Sequence, residues 1–295
     1  FEVIVVDYLS TDETKFVLQV CCDNYKNLKA IPFTENRNFF SGKKYPLSIG
    51  IRSATKEVVL LTEPDSVPKG FNWMRNMMMG YMKNADIVLG FSAIKQQKGL
   101  LNALQQYDNI TIAAHSFGSL IMGNPYTANG HNLSYRRQFF FDRGAFTSHY
   151  TLADGADDLF VNQNANGKNT ELGLDDEAFV LTEPCHSFAA WHLQRKGRYA
   201  SKCYYGPKDL LGMAVHPVFT LLFYLSGIIF ALQGLLPAII FAASTVLLWS
   251  WHIISFSRIC KRLKAKGIFW FAPLSEIYFL LANTILCTFA LFRKK

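Results

Sequence analysis

Two consecutive runs free of Asp, Glu, Lys and Arg, Leu211 to Gln233 and Leu235 to Phe256, constrain this chain more than any other feature. Each is roughly twenty residues long, and a helix of that length crosses a hydrocarbon layer of about 30 Å. They are expected to be membrane spans joined by a tight connection at Gln233 and Gly234. Arg258, Lys261, Arg262, Lys264 and Lys266 follow, a basic cluster of the kind that stays on the cytoplasmic side. Two crossings return the chain to the side it left, so the preceding domain is expected to be cytoplasmic as well. On this reading residues 1–205 form a soluble domain, and 206–295 form a membrane domain of two or three helices. The formal net charge of +8 suits a protein resting on an anionic leaflet and its membrane lipid. No basic patch accompanies a recognition fold, so nucleic acid is not an expected partner.

The last apolar segment, Ile268 to Phe292, is interrupted by Pro273 and Glu276 and followed by Arg293, Lys294 and Lys295. A third span and a bent interfacial helix both fit it. His216, His252 and Asn283 also lie in these segments, either as functional groups at membrane depth or as locally paired ones. The six cysteines, Cys21, Cys22, Cys185, Cys203, Cys260 and Cys287, show no CxxC pair, which argues against structural zinc. A cytoplasmic domain keeps its thiols reduced, so no disulfide is expected.

The soluble part alternates strand and helix, the pattern of an α/β fold with a parallel sheet. Phe1 to Val6 reads as a strand buried on both faces and ending at Asp7. Because the chain opens inside an apolar strand, a preceding strand is expected to be missing. A helix is expected from Ser10, with Glu13 completing a capping box. Further helices are expected over Ser48 to Ala54 and over Gly70 to Asn84, the latter with Met77, Met78 and Met82 on its core side. Strands are expected at Glu57 to Leu61 and Ala85 to Phe91. The strand before Thr62 delivers Glu63 and Asp65 to a turn beyond its carboxyl end, where ligands collect in α/β sheets. Two oxygen ligands on one turn suit Mg²⁺ or Mn²⁺, although such turns are commonly solvated loops.

Six motifs, in order, carry a resemblance. VVDYLSTDET (Val5 to Thr14) resembles VVDDxSTDxT, GKKYPLSIGIRSA (Gly42 to Ala54) resembles GKxxALNxGI, and TEPDSVP (Thr62 to Pro68) stands in the place of a metal-binding DxD. NGHNLSYRRQFF (Asn129 to Phe140) is similar to GxNxAYRR, DGADDLF (Asp154 to Phe160) falls at an acidic catalytic motif, and WHLQRKGRYA (Trp191 to Ala200) resembles (Q/R)xxRW. Together they resemble glycosyltransferase family 2, in the branch held in the bacterial inner membrane by helices after the catalytic domain.

The resemblance implies a GT-A fold, a Rossmann-like and mostly parallel sheet with flanking helices. It implies a multi-pass protein that transfers a sugar, with inversion, from a nucleotide-diphosphate sugar, UDP-sugars favoured, to a hydroxyl on a glycan or lipid acceptor. It assigns Asp65 as metal ligand with Glu63 supporting or touching the ribose, and Asp7 and Lys43 as nucleotide contacts. Arg198, helped by Arg195 and Gln194, would face the diphosphate, and Asp157 with Asp158 supporting would supply the base. Departures from the pattern are Tyr8 for a second Asp, Glu63 for the first Asp of DxD, and Ala156 in the acidic motif. The base position falls on Ala156 in one register and on Asp157 in the other. In the last motif, counting from Gln194 puts Gly197 where Arg is expected, and counting from Arg195 gives Arg198. A catalytically silent homologue that binds nucleotide sugar or a partner enzyme is the alternative. No GxSxG, HExxH or Walker A sequence points to other chemistry.

Overall fold

The computed structural model describes residues 1–35, 42–265 and 269–293, so the expectations that involve Lys266, Ile268, Lys294 and Lys295 lie outside the described residues. β1 (Val3–Tyr8), α1 (Thr14–Asn24) and β2 (Leu28–Phe33) come first, followed by α2 (Lys44–Ser53), β3 (Val58–Leu61) and β4 (Ser66–Pro68). Next are α3 (Trp73–Met78), β5 (Ile87–Gly90), β6 (Ser92–Ile94), the long helix α4 (Leu100–Ile121), β7 (Leu133–Arg136) and α5 (Arg137–Asp142). α6 (Asp158–Asn164), β8 (Thr170–Gly173), β9 (Val180–Thr182) and α7 (Phe188–Lys202) complete the sheet-bearing part. α8 (Pro207–Ala231), α9 (Leu235–Arg262) and α10 (Ala272–Arg293) follow.

The α/β class is as expected, but the sheet is mixed rather than mostly parallel. β1 and β2 pair in parallel, and among the described residues they pair only with each other, which leaves β1 half-buried instead of covered on both faces. The central sheet runs β3-β7-β5-β8, with β7 antiparallel to both neighbours and β5 parallel to β8. A third sheet, β4-β9-β6, contains one antiparallel and one parallel pairing. The cause lies in residues 122–132. Leu133 pairs with Leu61 and with Leu89, so this connection carries the chain back to the carboxyl ends of β3 and β5 before β7 descends between them.

Local expectations shift at three helices. α1 starts at Thr14, whose N–H donates to Asp12 Oδ1 at 3.1 Å, and the Glu13 side chain makes no cap. α2 starts at Lys44, ahead of Ser48. The helix expected over 70–84 is α-helical only over Trp73–Met78 and tightens to a 3₁₀ turn at Met79–Lys83. Steps of roughly 120° per residue there rotate Met82 off the buried stripe, leaving it 77% exposed while Met77 is fully buried. The core beneath the central sheet is aromatic. Phe140 touches Tyr135, Phe146 and Phe160 with ring centroids 5.3, 4.9 and 5.2 Å away. Each such buried side chain contributes about 1.5–3 kcal/mol.

α8 and α9 are long and apolar enough to cross a membrane by length and composition, with mean hydropathies of 1.8 and 1.7. Pro273 and Glu276 do not break α10. The proline sits in the first turn, where a missing N–H costs nothing, and Glu276 is partnered. One Glu276 oxygen lies 3.3 Å from His216 Nε2 on α8, the other 2.8 Å from His252 Nδ1 on α9, the latter off the line of a ring N–H bond. All six cysteines are free thiols.

α10 packs on α7, and their junction buries Arg195 completely. Its Nε donates to Asp108 on α4 at 3.0 Å and its Nη2 to Asn283 on α10, while the guanidinium lies 4.7 Å from the Phe279 ring and 5.2 Å from Trp191. Asp108→Ala strands a buried cation and should destabilise the protein by about 3–5 kcal/mol in thermal unfolding. Arg195→Met combined with Asp108→Leu should recover most of that loss. An equal loss in single and double variants would show that the pair is not a buried ion pair in solution.

Candidate functional site

The chain turns sharply after β3. Ser66 N donates to Glu63 O at 3.0 Å, closing a four-residue turn with Pro64 at its second position, where a fixed φ suits the bend. Glu63 and Asp65 therefore project from a short, stiff turn at the carboxyl end of β3. Ser66 Oγ donates to Asp65 Oδ1 at 3.1 Å and meets Thr182 Oγ1 at 2.9 Å, tying the turn to β9.

The antiparallel course of β7 brings Asn129 to Asn132 to the same place. Gly130–Asn132 form a 3₁₀ turn whose cap is Asn129, with Oδ1 accepting from His131 N at 3.2 Å and lying 2.6 Å from His131 Nδ1. His131 Nε2 faces the acidic turn, 3.7 Å from Asp65 Oδ1 and 4.0 Å from Glu63 Oε2. Ligand atoms of Glu63, Asp65 and His131 all lie within 4.8 Å of one another, a donor set that fits a divalent cation. His131 was not singled out in the sequence; the signal was its place in the connection before β7, legible only once that strand's direction is known.

Two lysines at the start of α2 divide their work. Lys43, half-exposed, donates to Glu63 Oε1. Burial pulls its ammonium down, but Asp157, Glu63 and Asp154 together hold it above the usual lysine range. Lys44 is buried and donates to the carbonyls of His149 at 2.9 Å, Leu152 at 2.7 Å and Asp154. Burial lowers it to about 8 against the pull of Asp158, Asp154 and Asp157. Gly42 completes the clamp. Its φ of +111° excludes a side chain, and a Cβ would stand 2.1 Å from Ala153 O. The loop before α6 is thus strapped to the start of α2.

Asp157 and Asp158, adjacent at the start of α6, have different surroundings. Asp157 Oδ2 accepts from Gly130 N at 2.5 Å. Burial raises this carboxyl, but the Lys43 charge and that N–H more than offset it, so Asp157 lies below the usual range. Asp158 accepts from Ser201 Oγ, from Tyr205 OH at 2.8 Å and from Leu159 N at 2.9 Å. Burial and the neighbouring Asp157 charge push it up to about 6. Asp157 therefore faces the Lys43 and Gly130 side, whereas Asp158 is bound into the end of α7. Ala156 is buried and offers no group to the cleft.

Helical geometry sorts the last motif. Gln194 and Arg198 are four residues apart and share one face of α7. Gln194 Oε1 lies 3.8 Å from the Cys185 thiol, which burial and the Asp65 charge push up while the Arg198 charge pulls it down. Arg195 lies on the adjacent stripe with Trp191 and Tyr199 and is buried in the α10 junction, where its guanidinium is taken up by Asp108 and Asn283. At Gly197 a Cβ would stand 2.7 Å from Asp154 Oδ2, so the Asp154 carboxylate lies against this position and would have to swing aside for a side chain. Asp7, buried at the end of β1, has an Oδ1 with no hydrogen-bond partner among the described residues.

The family model described as glycosyl transferase family 2 matches residues 1–146. No curated protein matches. Similar solved structures include S. aureus TarS 1-349, 18% identical with a TM-score of 0.45, covering 68% of this chain and 53% of that one. TarS 1-349 in complex with UDP is 16% identical with a TM-score of 0.45, covering 98% of this chain and 81% of that one. A mycobacterial protein is 10% identical with a TM-score of 0.39, covering 70% of this chain and 66% of that one. The chain spans 53% of the length of the first of these.

Lys44→Met removes the donor shared by three carbonyls, and a buried carbonyl left without a partner, as at His149, costs about 1–3 kcal/mol. The variant should melt at a lower temperature and gain hydrogen exchange over residues 149–158 ahead of the rest of the chain. Unchanged exchange in that loop would show that Lys44 does not strap it.

Proposed function

Because residues 1–146 belong to glycosyltransferase family 2, we propose that this protein moves a sugar from a nucleoside-diphosphate sugar to a hydroxyl acceptor, inverting the anomeric carbon. A UDP-sugar is the first donor to test, and a glycan or lipid of the cell surface the first acceptor. The observation that supports this reading is the convergence on Lys43, which pairs with Glu63 beside Asp65 and feels Asp157 as its strongest neighbouring charge. The carboxylate proposed as general base and one carboxylate of the proposed cation-binding turn thus both act on one ammonium.

In the proposed reaction Asp157, kept ionised, accepts the acceptor hydroxyl proton as the oxygen attacks the anomeric carbon in line with the departing diphosphate. The new C–O bond forms as the bond to the diphosphate breaks, and the electron pair leaves with the phosphate. Lys43 and Arg198 supply positive charge toward that leaving group. The unpartnered Oδ1 of Asp7 is a buried acceptor suited to an N–H or O–H of the nucleoside. A Mg²⁺ or Mn²⁺ held by Asp65 and Glu63 would neutralise diphosphate charge. Residues 1–205 would form the catalytic domain and 206–295 the anchor, with α8 and α9 as spans of a bacterial inner membrane and the catalytic domain cytoplasmic.

Asp157→Asn should cut kcat by about 10²–10⁴ while leaving donor binding near the parent value, measured by release of nucleoside diphosphate. The pH profile separates the two acids. Only the ionised base is active, so a base at Asp157, with its depressed pKa, keeps turnover flat as pH falls through 6. A base at Asp158 loses turnover in a limb centred near its pKa of about 6. A parent protein that binds donors and releases no diphosphate from any of them would favour the silent-homologue reading.

For orientation, Lys264→Cys should resist an impermeant thiol reagent in intact cells and react once they are opened. Ready labelling in intact cells would place the site away from nucleotide donors.

A further inference from the structure

We propose that His131 is the third protein ligand of the cation site and that its imidazole gives the site a preference for Mn²⁺ over Mg²⁺ before nucleotide arrives. This deepens, and rests on, the reading of Asp65 and Glu63 as cation-binding carboxylates. Asn129 Oδ1 is a carbonyl oxygen and can only accept; it takes the His131 backbone N–H and lies 2.6 Å from Nδ1. Nδ1 therefore carries the ring hydrogen, and the lone pair is on Nε2, the atom turned toward the acidic turn. The ring is only 11% exposed, so its orientation is set by packing as well as by Asn129.

The spacing suits a metal, with Nε2 3.7 Å from Asp65 Oδ1 and 4.0 Å from Glu63 Oε2. Bonds of roughly 2.0–2.2 Å to nitrogen and oxygen fill gaps of that size with a shift of a few tenths of an ångström. Glu63 is already divided for the task, with Oε1 on Lys43 and Oε2 toward His131. Three protein ligands leave coordination positions for water or diphosphate oxygens. Carboxylates serve Mg²⁺ and Mn²⁺ alike, while Mg²⁺, a hard oxygen-seeking ion, gains less from an imidazole than Mn²⁺ does.

The test is a Mn²⁺ titration of the full-length, detergent-solubilised protein without nucleotide, read by the loss of the free-ion paramagnetic resonance signal, with Mg²⁺ as competitor. The parent should bind Mn²⁺ and resist displacement by Mg²⁺. His131→Ala should weaken Mn²⁺ binding at least tenfold. Asn129→Ala, which releases the ring, should weaken it about 10–100-fold. His131→Asp, an all-oxygen set, should bind Mn²⁺ yet yield it readily to Mg²⁺. Parent-like Mn²⁺ affinity and competition in His131→Ala, with binding lost in Asp65→Ala, would overturn the role of His131 and leave the carboxylate reading intact. No Mn²⁺ binding by the parent would overturn the inference itself. Parent-like binding by Asp65→Ala would sink the carboxylate reading and this inference together.

Discussion

The pairing of Leu61 with Leu133 fixes the geometry of the site. In an antiparallel pair the residues after one strand's end lie beside the residues before its partner's start. Glu63 and Asp65 follow β3, and Asn129 to Asn132 precede β7, so the pairing brings an acidic turn and a histidine-bearing turn together across one strand spacing. Had β7 run parallel to β3, His131 would lie at the far end of the sheet, about 13 Å away over four strand residues. The Asp157 contact to Gly130 N depends on the same placement, because Gly130 belongs to the same turn.

Around that junction, adjacent residues of like chemistry separate into one that faces the cleft and one that holds the fold. Lys43 meets Glu63, while Lys44 is buried under three carbonyls. Asp157 meets Gly130 and the Lys43 charge, while Asp158 is bound by Ser201 and Tyr205. Gln194 meets the Cys185 thiol, while its neighbour Arg195 is turned into α10. Helical steps of about 100° make this division unavoidable for neighbours at a helix start or along a helix face. The buried members carry the larger stability cost when removed, because desolvation leaves their partners without water to replace them.

This division also explains how much of the molecule was legible in the sequence. The strands at Val58–Leu61 and Ile87–Gly90 and the apolar helices α8 and α9 follow from short-range periodicity and length, and they stand close to where the sequence places them. The acidic turn was legible because Pro64 and the abrupt end of an apolar run are local signals. The sheet's mixed character was not, since strand direction is set by where residues 122–132 go, and no local pattern encodes that. Arg195 was placed with the donor contacts on motif spacing alone; its burial depends on Asp108 and Asn283, each some 87 or 88 residues away. Ala156 and Gly197 read as eroded motif positions. In space Gly197 is instead the place where Asp154 fits.

α7 connects the proposed chemistry to the proposed anchor. Its Ser201, with Tyr205 just beyond its end, holds Asp158, the neighbour of Asp157, and its Arg195 is held by Asp108 on α4 and Asn283 on α10. His192 on the same helix meets Tyr278 OH at 3.1 Å. α10 in turn is fastened to α8 and α9 through Glu276. A series of hydrogen bonds and close polar contacts therefore links the apolar helices through α7 to the acidic loop. Buried polar contacts resist sliding more than apolar ones do, because a shifted partner leaves a desolvated group unpaired. The position of the acidic loop relative to the apolar helices is for that reason tied to α7.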